Sequence, residues 1–492
     1  MNRWQPHPLL VYVALAVISA GLYLAASRQV GEVGFPLDDA WIHQTYARNV
    51  GQHGEFAFVR GQPSAGSTAP LWTALLAVGY RLTFHPLLWA YSLGMLQLAL
   101  TAWLAHRLVL SLRPKARAAA WAAGLLVVTE WHLVWSAVSG METLLLALLA
   151  LAVFGGSTRS HWPWLGLAAG LAVWVRPDGL LLAPLLLLRW FGPGEHRGRR
   201  FGFNLLTGAA LIAAYLGLNV ALSGTLWPNT LYAKQAEYAV LTQTPLLARL
   251  GQMAAQPFIG VAALLAPGLV ALSAARWGQA DGRAGRLWPV ALPLAWVMAV
   301  IGAYALRLPV TYQHGRYLMP LIPVLIALGA AGLGEWLRPA SRRPGRRIVS
   351  RTWLAAVAAV AAVFWGLGAQ AYTRDVQIIQ TELVRTAKWL NLNTAPDALI
   401  AAHDIGALGY FGDRPILDLA GLVSPEVIGF MRDERQLAVW LDAAGVDYLM
   451  TFPGWYPALV AAPQAAAVYA SVGTASPNAG GENMAVYRWT SP

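Results

Sequence analysis

Apolar runs of bilayer length recur along the first three quarters of this chain, with too few charges between them for a water-soluble core. Of 492 residues, 57% are hydrophobic and only 12% are charged, against roughly 25% charged in a soluble domain. About 20 apolar residues carry a helix across the ~30 Å hydrocarbon core. The pattern therefore predicts a polytopic α-helical membrane protein. Eleven runs read as spans: Pro8–Ala26, Leu87–Leu110, Ala118–Ala137, Leu144–Phe154, Trp162–Val175, Leu180–Trp190, Phe203–Leu222, Pro257–Ala274, Leu287–Leu306, Tyr317–Leu333 and Trp353–Ala371. Several, such as Leu144–Phe154, cross only if the membrane thins or protein buries their ends. The first run reads as an uncleaved signal anchor, being long for a cleaved leader and lacking a clear small-residue cleavage site.

The net charge of +12 would suggest nucleic acid in a soluble protein. Here the basic residues sit in short loops and act as topology signals, since cytoplasmic loops collect Lys and Arg. On that rule Arg113–Arg117, Arg159, Arg189–Arg200, Arg276–Arg286 and Arg338–Arg351 face the cytoplasm. This register holds only if the short apolar segment Pro70–Phe84 lies along the membrane as an interfacial or re-entrant helix. If it crossed, every later basic loop would lie outside. The non-basic polar motifs then share the outer side: "GFPLDDAWIHQTYARN", "GQPSAGSTAP", "SGMET", "RPDG", "WPNTLYAK" and "TYQHGRYLMP". Residues 1–372 form the membrane domain, with a first outer loop over 27–86. Residues 373–492 contain no span and alternate short apolar runs with turns, the pattern of a small outward α/β domain. The absence of cysteine excludes disulfides, iron–sulfur clusters and thiol catalysis, and the 23 tryptophans suit interfacial belts.

Asp38 and Asp39, directly after the first span, are the sharpest chemical feature. Charge beside a membrane segment is costly and is kept where it has a task. Two readings fit: the pair caps a short interfacial helix, or it forms a site in which one carboxylate accepts a proton from an attacking hydroxyl. Neighbouring like charges push the two pKa values apart, so the two acids need not do the same work. Arg176 and Arg316 sit at outer span ends, Lys234 in an outer loop, and His43 and His314 also outside, where cations suit a phosphate; Arg176 can instead pair with Asp178. Glu142 stands at an outer span start, where the helix dipole alone accounts for an acid. In the outer domain His403 and Asp404 can contact sugar hydroxyls, although turn chemistry also favours such residues. The Gly61–Gly66 stretch lacks the Gly-Lys-Ser/Thr ending of a P-loop and reads as a flexible loop. Together the acids and cations read as a site for a lipid-linked phosphate and a hydroxyl acceptor.

The order "DDAWIHQTYARNVGQHGEFAFVRGQPSAGSTAPLW", "GMET", "VRPDGLLL", "WPNTLYAK", "RYLMPLIPVL" and "HDIGALGYFGDRPILDLAGL" resembles the GT-C superfamily of membrane glycosyltransferases. It is most similar to the branch holding the mycobacterial terminal arabinofuranosyltransferases. The resemblance spans most of the chain. It implies a GT-C-like fold of about eleven spans plus interfacial helices. It also implies inverting transfer of a pentofuranose or hexose from a polyprenyl-phosphate donor to an extracytoplasmic glycan, lipid or protein. By the same resemblance, Asp38 first and Asp39 second is the general base. The resemblance puts the phosphate contacts on Lys234, Arg316 or His314; the residues themselves add Arg176 and His43 to the expected donor set and Asp404, His403 and Glu142 as the expected acceptor set. Some members of that superfamily hold a metal at the acidic motif and others none, so a divalent cation on Asp38 and Asp39 stays open. The setting is the inner (plasma) membrane, with active site and C-terminal domain on its extracytoplasmic side and no nucleic-acid partner. A transporter or flippase of lipid-linked saccharides would instead place its charges in mid-membrane, and a non-catalytic scaffold would tolerate loss of both aspartates.

Overall fold

The computed structural model describes residues 7–157, 164–185, 199–277, 288–337 and 339–490. The first helix, α1 (Pro8–Gln29), has 22 residues, about 33 Å at 1.5 Å per residue. Its buried positions Tyr12, Ala16, Ser19, Ala20, Tyr23 and Ser27 recur at helical spacing, while Leu10, Val17, Ile18 and Leu22 on its other side are exposed. That is the surface of a helix with protein on one side and lipid on the other. Among the described residues six helices are long and apolar enough to cross a bilayer, or eight if two bent pairs each count as one span. This is a multi-pass membrane protein. The bent pairs are Arg117–Thr129 with Trp131–Ala137, and Leu246–Phe258 with Val261–Trp277; Thr143–Gly155 and Leu165–Val175 are apolar but shorter. The run expected from Leu180 to Trp190 opens with a 3-10 turn, Pro177–Leu182, and its end lies outside the described residues. So do the start of Trp162–Val175 and all or part of the basic turns at Arg159, Arg189–Arg200, Arg276–Arg286 and Arg338.

Lipid offers no hydrophobic drive between helices, so close packing rests on small residues. The Val261–Trp277 and Ile322–Trp336 helices touch through Gly268, Gly329 and Gly332. A Cβ on Gly332 would stand 1.8 Å from the Gly268 carbonyl oxygen, and one on Gly268 would stand 2.1 Å from that of Gly329.

The first loop is ordered throughout. Helix α2 (Asp38–His53) ends at Gly54, whose φ of 74° gives a left-handed C-terminal turn. A short hairpin follows, β1 (Ala57–Val59) with β2 (Gln62–Pro63), and then α3 (Pro70–Arg81). At 12 residues, α3 spans about 18 Å, too short to cross, as an interfacial segment requires. The Gly61–Gly66 stretch, expected as a flexible loop, is tied to α2 at its far end. The Tyr46 hydroxyl lies 2.7 Å from Ser64 Oγ and accepts the Gly66 N–H at 3.0 Å.

The helix Pro344–Ile378 has 35 residues, about 52 Å, and so outruns a bilayer. It continues through a wide turn, Ile379–Val384, into Arg385–Asn393. The boundary expected at residue 372/373 therefore falls inside a continuous helix. The α/β unit it carries is a five-stranded sheet in the order β4-β3-β5-β7-β6: β3 (Ile400–Ala402), β4 (Ile416–Asp418), β5 (Tyr448–Thr451), β6 (Ala465–Ala470) and β7 (Ala485–Trp489). Strand β3 runs parallel to β4 and β5, and β7 runs antiparallel to β5 and β6. Fully buried Glu382 pins the helix to this sheet through Ser471 Oγ and, at 3.0 Å, the Met484 N–H.

Candidate active site

Helix α2 begins at Asp38 itself, after Leu37, which makes no side-chain cap. The two carboxylates thus hold the first two helical positions, where the helix dipole favours negative charge. Consecutive residues on a helix point about 100° apart, and the pair diverges. Asp38 reaches the α/β unit: its Oδ2 accepts the Gly406 N–H at 2.6 Å and its Oδ1 the Ala407 N–H at 2.7 Å. Asp39 turns to two cations, accepting from Arg316 Nη2 and lying 3.6 Å from Lys234 Nζ. The capping reading is met in an unexpected form, since Asp38 caps a turn of the other domain rather than its own helix.

Lys234 stands on the helix Asn229–Glu237, whose start is tied to the first loop by Asn229 N–H to Ala65 O at 3.1 Å and Thr230 Oγ1 to Gly66 O at 2.5 Å. Arg316 follows a tight turn in which Gln313, His314 and Gly315 all have positive φ, 52°, 60° and 63°. Left-handed backbone costs a non-glycine residue roughly 1–2 kcal/mol. Here it is held by His314, whose Nε2 lies 2.7 Å from Asp375 Oδ2 between the edges of Trp131 and Trp135. His314 therefore faces away from the cations it was grouped with and lines neither cavity described below; it anchors the turn that aims Arg316.

Two cavities meet at the aspartate pair. The first, of about 300 Å³, has Asp39, His43, Glu142, Arg176, Lys234 and Arg316 among its lining, with apolar walls that include Leu180, Leu181, Leu231 and Leu308. The second, of about 690 Å³, takes in Asp38, Asp39, Glu237, His403, Asp404, Trp455 and Tyr456. Asp39, Lys234, Arg316 and Tyr317 line both. In the first, Arg176 is held bidentately by Asp178 at 3.0 Å and 3.0 Å, so its charge is largely matched within the protein. His43 Nε2 lies 3.3 Å from Glu142 Oε2. Glu142 thus lines the first cavity with His43, apart from His403 and Asp404, with which it was grouped. In the second cavity His403 lies 3.2 Å from Asp404 and 3.6 Å from Glu237, with Trp455 edge-on at 4.9 Å.

The electrostatics separate the two aspartates. Burial raises the Asp38 carboxyl, and the like charge of Asp404 adds to this; the two N–H bonds pull the other way, and the net value is about 8. Burial would raise Asp39 as well, but Lys234 and Arg316 hold it well below the usual carboxylate range. Lys234 shows the reciprocal effect: burial lowers it, and Asp39 more than reverses that. Burial lowers His403 too, but the hydrogen bond to Asp404 leaves it raised overall. Arg316 Nε and Nη1 are buried without a protein partner, and an unpaired buried donor costs ~1–3 kcal/mol. These N–H groups suit an anion beside Asp39.

Both carboxylates of the pair are engaged by donors of the protein itself. Both Asp38 oxygens accept backbone N–H groups and Asp39 is engaged by two cations. Among the described residues no three His, Asp or Glu side chains group as metal ligands.

Solved structures share this architecture. ArnT from Cupriavidus metallidurans, bound to undecaprenyl phosphate, aligns over 97% of this chain and 97% of its own, with a TM-score of 0.61 at 14% identity. The chain has the GT-C fold. The archaeal oligosaccharyltransferase AglB from Archaeoglobus fulgidus, in complex with an inhibitory peptide and a dolichol-phosphate, has the same GT-C fold. It aligns over 90% of this chain and 69% of its own, at a TM-score of 0.55 and 11% identity. The arabinofuranosyltransferase AftD from mycobacteria aligns over 97% of this chain but 40% of its own, with a TM-score of 0.51 at 16% identity. Residues 368–487 match a domain of unknown function (DUF8728). No curated protein matches the sequence.

Glu237, Tyr304, Tyr317, Trp455 and Tyr456 also line the cavities and were not singled out in the sequence. Glu237 carried a usable signal, lying three residues after Lys234 and so on the same helix face.

Proposed function

We propose that this protein is a glycosyltransferase that moves a sugar from a polyprenyl-phosphate donor to a hydroxyl of a saccharide-bearing acceptor. The observation that carries this reading is the meeting of two unlike cavities at one acidic pair. The first has apolar walls for a lipid and a cation pair for its phosphate. The second combines carboxylates, which accept hydroxyl protons, with the flat rings of Trp455 and Tyr456, which pack on apolar sugar faces. Charge counting supports a single phosphate. In the lining of the first cavity, Asp39, Glu142 and Asp178 stand against Arg176, Lys234, Arg307 and Arg316, which with His43 counted as neutral leaves one positive charge, the match for one phosphodiester.

In this reading Asp38 takes the proton of the acceptor hydroxyl. The freed oxygen attacks the anomeric carbon, the carbon–oxygen bond to phosphate breaks, and the electron pair leaves with the phosphate, inverting the centre. Lys234 and Arg316 compensate the charge that develops on the leaving group. A carboxyl near 8 is a far stronger base than one held low, which assigns the base to Asp38 and the ordering of the cations to Asp39. His43 and Glu142 line the donor side, and His403, Asp404 and Glu237 the acceptor side. The basic loops orient the site and the α/β unit outward from the plasma membrane. The test is transfer by the purified protein from polyprenyl-phosphate pentoses and hexoses to a saccharide panel, with Asp38→Asn alongside. Turnover lost in Asp38→Asn is expected; no transfer from any donor by either protein would end the enzyme reading, and equal turnover by both would end the assignment of Asp38 as base.

A further inference from the structure

The base is gripped from outside the membrane domain. Residues 406–412 of the α/β unit form one short helical stretch, and α2 holds it at both ends. At its start, both Asp38 oxygens accept the N–H groups of Gly406 and Ala407. At its far end, Arg48, ten residues along α2, donates from Nη1 to the Tyr410 carbonyl at 3.0 Å and from Nη2 to the Gly409 carbonyl at 3.2 Å. Acid on exposed N–H groups and base on exposed carbonyls is the polarity both ends require. Between them Trp41 packs on the rings of Tyr410 and Phe411, with centroids 4.9 Å and 4.6 Å away. The fit leaves no room for side chains at two glycines. A Cβ on Gly406 would fall 2.1 Å from the Asp38 carbonyl oxygen and 2.7 Å from its Oδ2, and one on Gly409 would fall 2.2 Å from the Phe58 ring.

We propose that Gly406, Ala407 and Arg48 are positioning residues for the catalytic aspartate, so that the α/β unit completes the active site by fixing the Asp38 carboxylate as well as walling the acceptor cavity. This rests on the transfer reading for its kinetic arm only. Two N–H bonds, one to each oxygen, hold the carboxylate against rotation where it lines the second cavity. The grip also tunes the group. Asp38 faces Asp39 on its own helix and Asp404 from the α/β unit, with His403 beside Asp404 and with Lys234 and Arg316 beyond Asp39. The N–H pair is the opposing influence that favours its ionised form.

The test uses the full chain in nanodiscs, with Gly406→Ala, Arg48→Ala, Arg48→Lys and Asp38→Asn. Amide hydrogen exchange over residues 404–412 is the first readout. Arg48→Ala and Asp38→Asn should speed exchange there while the α1 peptides stay as in wild type. No local change would overturn the grip. The second readout is turnover with whichever polyprenyl-phosphate pentose or hexose the wild type uses. Displacement of a reacting group by about 1 Å costs on the order of 100-fold. Gly406→Ala and Arg48→Ala should therefore lower kcat roughly 10- to 100-fold with donor KM within about twofold, and move the rising limb of the pH profile upward. Arg48→Lys, which keeps one donor, should fall between. A kcat within about twofold of wild type in both variants, or an unmoved limb, would overturn the positioning role. If the wild type turns over no donor, the transfer reading fails, and the exchange readout still decides whether the α/β unit holds Asp38.

Discussion

The elevated Asp38 carboxyl makes a quantitative prediction about pH. With an apparent value of about 8, about one molecule in ten carries the ionised base at pH 7 and about one in a hundred at pH 6. The rate should then rise roughly tenfold per pH unit between 6 and 7.5 and level off near pH 9. The sign follows from the role, because the ionised form accepts the proton and activity is lost as pH falls through this value. Asp39 adds no second limb in this range, since Lys234 and Arg316 keep it ionised throughout. Among the charges around Asp38, Asp404 contributes most to the rise after burial, so Asp404→Asn should slide the limb to lower pH. Full ionisation bounds the gain this can produce at pH 7 to about tenfold. Asp404 also lines the acceptor cavity, so the position of the limb, not its height, is the observable. The assay is initial transfer rate at saturating donor and acceptor, in overlapping buffers from pH 5.5 to 9.5. A profile flat from pH 6 to 9, or an Asp404→Asn limb lying on the wild-type one, would refute the assignment of Asp38 as a base tuned by burial and Asp404.

Three further outcomes are expected. Arg316→Ala should raise donor KM by about 10- to 150-fold, the equivalent of a charge-assisted bond of ~1.5–3 kcal/mol, and lower kcat as well because the leaving group loses its charge partner; measured transfer kinetics with both substrates varied separate the donor and acceptor effects. Trp455→Ala should do the converse, raising acceptor KM about two- to tenfold for a lost aromatic face of ~0.5–1.5 kcal/mol with donor KM unmoved. Gly332→Ala, whose Cβ would stand 1.8 Å from the Gly268 carbonyl oxygen, should force two helices apart at a cost of ~1–3 kcal/mol, read as a lower thermal midpoint in detergent.

The sequence was most legible where hydrophobic length alone decides the element. Helices such as α1 and Pro86–Leu112 must be long because lipid satisfies no backbone group, and their apolar runs say so. It was less legible where protein rather than lipid covers the helix. Leu165–Val175 has 11 residues, and Arg117–Thr129 bends by 55° into Trp131–Ala137. Buried Glu130 caps the second piece, accepting the Leu133 N–H, so the break is built in, and periodicity cannot mark it. In the α/β unit, four apolar runs between turns became β3, β4, β5 and β7, whereas β6, rich in alanine and mostly exposed, carries little strand signal.

The site divides along the same line. That acids and cations converge was readable from their shared side of the membrane. Which of them touch was not, because contact depends on where a helix starts and how a turn is wound. Had α2 begun one residue later, Asp38 would have been a cap rather than a helical residue, and the divergence of the two carboxylates would not follow. His314 and Arg316 are two residues apart, yet the left-handed backbone at Gln313, His314 and Gly315 sends one to Asp375 and the other to Asp39. Tertiary contacts hold residues 313 and 314 in that conformation against their own preference. A chain met as sequence alone gives no sign of it. The signs that survive into sequence are the glycines. Gly66 and Gly406 both stand where a Cβ would strike the other domain, the Leu422 carbonyl oxygen at 3.0 Å and that of Asp38 at 2.1 Å. A glycine forced by a partner hundreds of positions away thus marks the joint between two domains, and here that joint lies at the reacting carboxylate.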